Sequence, residues 1–180
     1  MKAVVCGFFI LGVVGILVFL GLNISFARPS HERDFLRFHI RAHSDSAEDQ
    51  RVKYYVKQRV VNELTPIFYN VNGKQDAMVR LAKNIPLIEQ IATNELLSRG
   101  FTYGATAKVT SERFPTRSYN VSSVNLTLPA GDYNALIINL GSGLGRNWWC
   151  VIYPPLCFLG NSIGGEAGVR YRSVILNWFR

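Results

Sequence analysis

The sequence predicts an α+β fold: an N-terminal strand, two to three helices and then a mainly antiparallel β region, forming a single domain behind an N-terminal export segment. Three observations predict it. Apolar and polar residues alternate from Phe35 to His43, and apolar residues recur at every fourth position from Val52 to Leu64. Short β-branched and apolar runs, separated by Gly and Pro turns, then fill the chain from Ala105 to Phe158. With 180 residues, 48% hydrophobic and 18% charged, the chain is long and apolar enough to close one core.

Residues 1–27 read as the export segment. After Met1-Lys2 the run Ala3 to Leu22 is long for a signal-peptide core and close to a membrane span, while Ser25-Phe26-Ala27 has the small residues that signal peptidase prefers. The segment is therefore a signal peptide or a membrane anchor, and it contacts the membrane if it stays uncleaved. Both readings export residues 28–180. Cys6 precedes the apolar core and follows Val5, which does not suit a lipid-modified cysteine.

The formal charge is +8, and Lys2 is the only charged residue before Arg28, which leaves +7 on the exported part. Its positive residues are scattered and no helix gathers them into a stripe with interleaved aromatics, so nucleic acid is not the expected partner.

The first strand places Leu36, Phe38, Ile40 and Ala42 on one face and Arg37, His39, Arg41 and His43 on the other, which reads as half-buried with one cationic face. His39 and His43 would stand about 13 Å apart along a strand, too far to share a metal ion, and no metal site is expected. Ser46 then caps a helix, with Asp49 three places on and Glu48 beside it against the positive end of the helix dipole. Val52, Val56, Val60 and Leu64, with Tyr55 beside them, mark its apolar face, and Pro66 marks its end.

A turn at Asn70–Gly73 leads to a helical pattern around Met78, Leu81 and Ala82. Pro86 interrupts it and opens a second segment with Ile88, Ile91, Ala92 and Leu96, which Gly100 terminates. Ala105, Ala107 and Val109 alternate with polar residues until Phe114-Pro115-Thr116. Val124, Leu126 and Leu128, the turn Pro129–Asp132 and the more apolar run Tyr133 to Leu140 read as a hairpin. Gly160 to Gly168 reads as a flexible connection, and Val169 to Phe179 as a final strand or a short amphipathic helix.

Asn147 to Phe158, N-W-W-C-V-I-Y-P-P-L-C-F, is the densest aromatic stretch in the chain. It reads as a short buried strand stopped by two prolines that withdraw amide donors. Trp148 and Trp149 are adjacent, so an extended chain points them to opposite faces. One is expected inward. The other is covered by the C-terminal segment around Tyr171 and Trp178, or is exposed beside the basic strand as an interface anchor, the reading preferred here. Cys150 and Cys157, with His39 or His43 as base, would be the nucleophiles of an enzyme. Neither cysteine has a helix N-terminus, a C-x-x-C spacing or an oxyanion loop beside it, so no catalytic residue and no cofactor is assigned. The two are either a disulfide or buried thiols. Gly141-Ser142-Gly143-Leu144-Gly145 lacks the lysine and the following helix of a phosphate-binding loop.

L-R-F-H-I-R-A-H-S-D-S-A-E-D-Q at Leu36 to Gln50, F-P-T-R at Phe114 to Arg117, L-P-A-G-D-Y-N-A-L at Leu128 to Leu136, and the Asn147 to Phe158 block resemble the stage II sporulation protein R family of endospore-forming bacteria. The resemblance implies a secreted intercompartmental signal, made in the forespore and exported into the space between the two septal membranes. There it would activate a membrane-embedded aspartic protease of the mother cell, which processes a sigma-factor precursor. His43 departs from the asparagine that is frequent there, and Ile137-Ile138 stand where an arginine often follows. The competing reading is an exported cell-wall or membrane-surface binding domain. The expected partner-binding residues are Arg37 on the first strand and Arg41, His43, Asp45 and Asp49 at the strand-to-helix corner, together with Trp148 and Trp149. For the Ser44 to Gln50 segment, plain helix capping is the alternative to partner contact.

Overall fold

The computed structural model describes residues 34–158 apart from 69, 122 and 123. The export segment at residues 1–27, the Gly160–Gly168 connection and the Val169–Phe179 tail lie outside the described residues.

The α+β architecture read from the sequence is the observed one. Strand β1 (Leu36–Arg41) is followed by helices α1 (Ala47–Ile67), α2 (Lys74–Lys83) and α3 (Ile85–Leu97). Strands β2 (Ala105–Phe114), β3 (Arg117–Val121), β4 (Val124–Leu128), β5 (Gly131–Leu140) and β6 (Asn147–Tyr153) follow, and then a single 3-10 turn at Leu156–Phe158. One sheet has the order β2-β5-β1-β6, and β3 and β4 pair with each other in a second, two-stranded sheet. Within the larger sheet β2–β5 and β1–β6 are antiparallel, while β1–β5 is parallel.

The helices begin and end where their side chains dictate. The Ser46 hydroxyl accepts from the Asp49 amide at 3.1 Å, which caps α1. Val52, Val56, Val60 and Leu64 are buried on one face of that helix, whereas Tyr55 is exposed beneath the Arg99 guanidinium, 3.5 Å from its ring centre. Pro66 lies inside the last turn of α1, and Pro86 sits in the first turn of α3, where a missing amide donor is harmless. Arg80 ties the α1–α2 turn together, donating to the Ile67 and Asn70 carbonyls while its fork grips Asp76.

The larger sheet carries a core on each face. The helix side joins Phe38, Ile40, Leu136, Ile138 and Ile152 to the apolar faces of all three helices. The opposite side joins Phe114, Tyr119, Leu128, Tyr133, Ile137 and Val151. The β3–β4 sheet supplies Tyr119 and Leu128 to this second core, and this corrects two expectations from the sequence.

First, β4 does not form a hairpin with β5. Both edges of β5 are occupied, by β2 and β1, so no ladder is open to β4, which pairs with β3 from Arg117↔Leu128 to Val121↔Val124. The near-continuous apolar run of β5 is the signature of a central strand buried on both faces. Second, β1 is not half-buried. Arg37 and His39, assigned to an open cationic face, are both 0% exposed. The Arg37 guanidinium lies 4.3 Å from the Phe114 ring centre and 4.8 Å from that of Tyr133, and it donates to the Tyr119 hydroxyl at 2.6 Å. Its Nε and Nη1 make no hydrogen bond. Ring faces replace water around this cation.

His39 stacks on Trp149 with ring centres 4.8 Å apart. Burial, aided by the charges of Arg41, Arg37 and Lys108, pushes its pKa down to about 3, so it is neutral at physiological pH. Its 3.7 Å approach to Glu112 is consequently not an ion pair; Glu112 is bound instead by Arg41.

Because Tyr119 answers a buried charge, Tyr119→Phe is expected to destabilise by about 1.5–3 kcal/mol, measured by urea denaturation. In an Arg37→Met background the same substitution is expected to cost almost nothing. An equal cost in both backgrounds would mean that Tyr119 acts through packing alone.

Candidate partner-contact site

The topology itself builds the site. β5 and β6 lie on either side of β1, and β5 runs parallel to it, so the loop Gly141–Arg146 joining them must pass over the end of β1. That is where the chain turns from β1 into α1, through Ala42–Ser46. The loop spans two strand spacings, roughly 10 Å, less than its six residues could reach, and hydrogen bonds hold it against the turn.

Nearly every polar group at this crossing is engaged. The Gly141 amide donates to the Gly104 carbonyl at 2.8 Å, that of Gly143 to Leu140 at 3.0 Å, and that of Gly145 to Ala42 at 2.9 Å. The Ser142 amide donates to His43 Nδ1 at 2.9 Å and its hydroxyl to the His43 carbonyl at 2.6 Å. The Arg146 amide donates to Asp45 Oδ1 at 2.7 Å, and its carbonyl accepts from Lys53 Nζ at 2.8 Å. The Ser142 amide thereby occupies the Nδ1 lone pair of His43. Two glycines are sterically required. A Cβ at Gly145 would overlap the Ser44 carbonyl, and one at Gly141, whose φ is +54°, would overlap the His43 ring.

Asp49 anchors the turn from below. Its carboxylate accepts from the hydroxyls of Ser44 and Tyr103, and the Tyr103 ring stacks on His43 with centres 4.4 Å apart. Burial would raise the Asp49 pKa, but the hydrogen bonds from Ser44 and Tyr103 outweigh it and hold the carboxyl below its usual range. The same burial and the adjacent carboxylate push the Tyr103 phenol up, so it stays a donor. Lys53 is 1% exposed; burial, with Arg146 nearby, lowers its pKa, and Asp45 opposes that shift.

A second feature lies on β6. Trp148 and Trp149 do point to opposite faces, but neither is the free anchor expected of one of them: both are half-buried. Trp148 meets Phe38 edge-on at 5.3 Å, and Trp149 packs against both His39 and Phe114. β1 lies directly beside them, pairing His39 with Trp149 and Ile40 with Trp148, so each ring has a core to join. Their remaining edges, with Lys57, Tyr119 and Cys157, line a groove of about 360 Å³. Lys57 Nζ stands 5.6 Å from the Trp148 ring centre and the Arg117 guanidinium 5.0 Å from that of Trp149. Cys150 and Cys157 are joined as a disulfide, with Cα atoms 5.9 Å apart, across the cis Tyr153–Pro154 peptide.

The residues singled out in the sequence therefore separate. His43, Asp45 and Asp49 come together at the crossing, where they hold the loop. Arg41 is half-buried and paired with Glu112, Arg37 is in the second core, and Trp148 and Trp149 border the groove. Sequence reading passed over Leu144, which is 85% exposed at the loop tip. The available signal was one apolar residue isolated among glycines, with no neighbour of its own to bury it.

The lowered pKa of Asp49 sets a pH test. Its carboxylate contributes stability above the unfolded value near 3.9, and that contribution is lost as pH falls through the lower folded value. Asp49→Asn is expected to be less stable than the parent at pH 7 by about 1–3 kcal/mol, with the gap narrowing below about pH 4. Urea denaturation at both pH values measures it, and a gap that does not change with pH would contradict the assignment.

Residues 32–162 match the family model described as stage II sporulation protein R. The chain is 36% identical over 132 residues to the protein named stage II sporulation protein R of Bacillus subtilis (strain 168). That alignment covers 73% of this chain and 57% of the relative, so the chain spans little more than half of that protein's length. No solved structure matches the chain. By the extent of both matches, the chain belongs to the stage II sporulation protein R family.

Proposed function

We propose that this protein is an exported signal of endospore formation that activates a membrane-embedded aspartic protease, which then processes a sigma-factor precursor. In this reading it crosses the forespore membrane, acts in the space between the two septal membranes and is itself not an enzyme. The observation that carries the reading is where the family-like sequence blocks lie. Leu36 to Gln50 forms β1 and the crossing, Leu128 to Leu136 leads into β5, and Asn147 to Phe158 forms β6 and its disulfide. Three of the four blocks thus form adjacent strands and the turn at their end, and the fourth, Phe114–Arg117, joins β2 to β3.

The chemistry of the side chains supports a binding role. A disulfide leaves neither Cys150 nor Cys157 as a thiolate. His39 is buried and neutral, and His43 has its Nδ1 lone pair committed to the Ser142 amide. Asp49 has both carboxylate oxygens engaged by hydroxyls.

The test is to produce the full chain with the protease and its precursor in a host that lacks all three. Precursor processing is expected only when all three are present. Processing that is indifferent to this chain would contradict the proposal. Binding to isolated cell walls that collapses as salt rises would favour the surface-binding alternative instead.

A further inference from the structure

We propose that Leu144 is the apolar anchor of this protein's contact with its protein partner, presented ready-formed by the Gly141–Arg146 loop to an apolar pocket on that partner. The proposal rests on the activator reading and assigns its contact.

Leu144 is 85% exposed, more than any other large apolar side chain among the described residues; Tyr54 and Leu97 follow at 55% and 54%. An exposed leucine on a mobile loop would mean little. Here the amides of Gly141, Ser142, Gly143, Gly145 and Arg146 are all bonded, so the backbone that carries the side chain is already fixed. A fixed loop loses little conformational freedom on binding, which is the condition under which one buried side chain contributes strongly to affinity.

Around the crossing, polar side chains of both signs are exposed: Arg146 and Asp45 pair at 3.4 Å with 72% and 61% of their side chains accessible, and Glu48 and Arg51 lie on the first turns of α1 at 67% and 66%. An apolar centre with a mixed polar rim is the pattern of a protein contact. An anionic membrane would meet the Asp45 and Glu48 carboxylates, and a single leucine is too little apolar surface to hold a protein on lipid. The clamping residues His43, Asp45 and Asp49 act as positioning residues for this loop.

The experiment uses the full chain, the protease and the precursor produced together, with processing, secretion and melting temperature measured for each variant. Leu144→Asp is expected to lower processing by about tenfold or more with secretion and melting temperature unchanged. Leu144→Ala, which adds no charge, is expected to give a smaller loss, and Leu144→Met to keep at least half of the activity. Leu97→Asp, on an exposed face of α3, is expected to process as the parent does. If the parent chain activates and Leu144→Asp activates equally, the activator reading stands and Leu144 is not the contact. If the parent chain fails to promote processing, the activator reading fails and this contact fails with it. If the parent sediments with phosphatidylglycerol vesicles and Leu144→Asp does not, the loop docks on lipid and the protein-pocket proposal is overturned.

Discussion

β1 is paired along both edges and covered on both faces, and the rest of the domain follows from that constraint. A six-residue strand between a parallel and an antiparallel neighbour leaves no backbone edge open. Its helix-side residues, Phe38 and Ile40, need the packed apolar faces of the helices. Its other face needs a cover as well, and β3–β4 provides one although it joins no strand of the larger sheet. Because β5 and β6 flank β1, their connection must cross its end, and the chain turn into α1 must accept that loop. The site is thus a consequence of strand order before any side chain is considered.

The second face shows how the sequence can mislead. Arg37 and His39 alternate with Phe38 and Ile40 in the period of a strand with one wet face, and charged residues are rarely buried. Alternation reports only that successive side chains point to opposite faces; what covers each face is decided by distant segments. Phe114, Tyr119, Tyr133 and Trp149 come from four other strands and enclose both side chains. His39 answers burial by staying neutral. Arg37 keeps its charge under ring faces with one hydrogen bond, which makes this face polar at its centre although it is dry.

Local signals were otherwise reliable. The Ser46 cap, the proline at the start of α3 and the end of β2 at Phe114 all depend on neighbouring residues, and each was legible. Pairing between distant segments was not. The turn Pro129–Asp132 looks the same whether it closes a hairpin or carries the chain from one sheet to another, and only the occupied edges of β5 decide. The polar cluster at His43, Asp45 and Asp49 was legible as important but not for its role. The partners of His43 and Asp45 are backbone amides about a hundred residues away, in a glycine-rich stretch whose composition suggests freedom. Those glycines instead permit contact too close for any side chain.

The rigidity of the Gly141–Arg146 loop is the central claim, and amide hydrogen exchange tests it most directly. Ser142, Gly145 and Arg146 donate to groups of the β1–α1 turn, so their amides are expected to exchange on the order of a hundredfold or more slower than in the unfolded chain. In Asp45→Ala, protection is expected to fall at Arg146 and to persist in β1. Exchange of these three amides at unfolded-chain rates in the parent, while β1 and β5 stay protected, would contradict the claim.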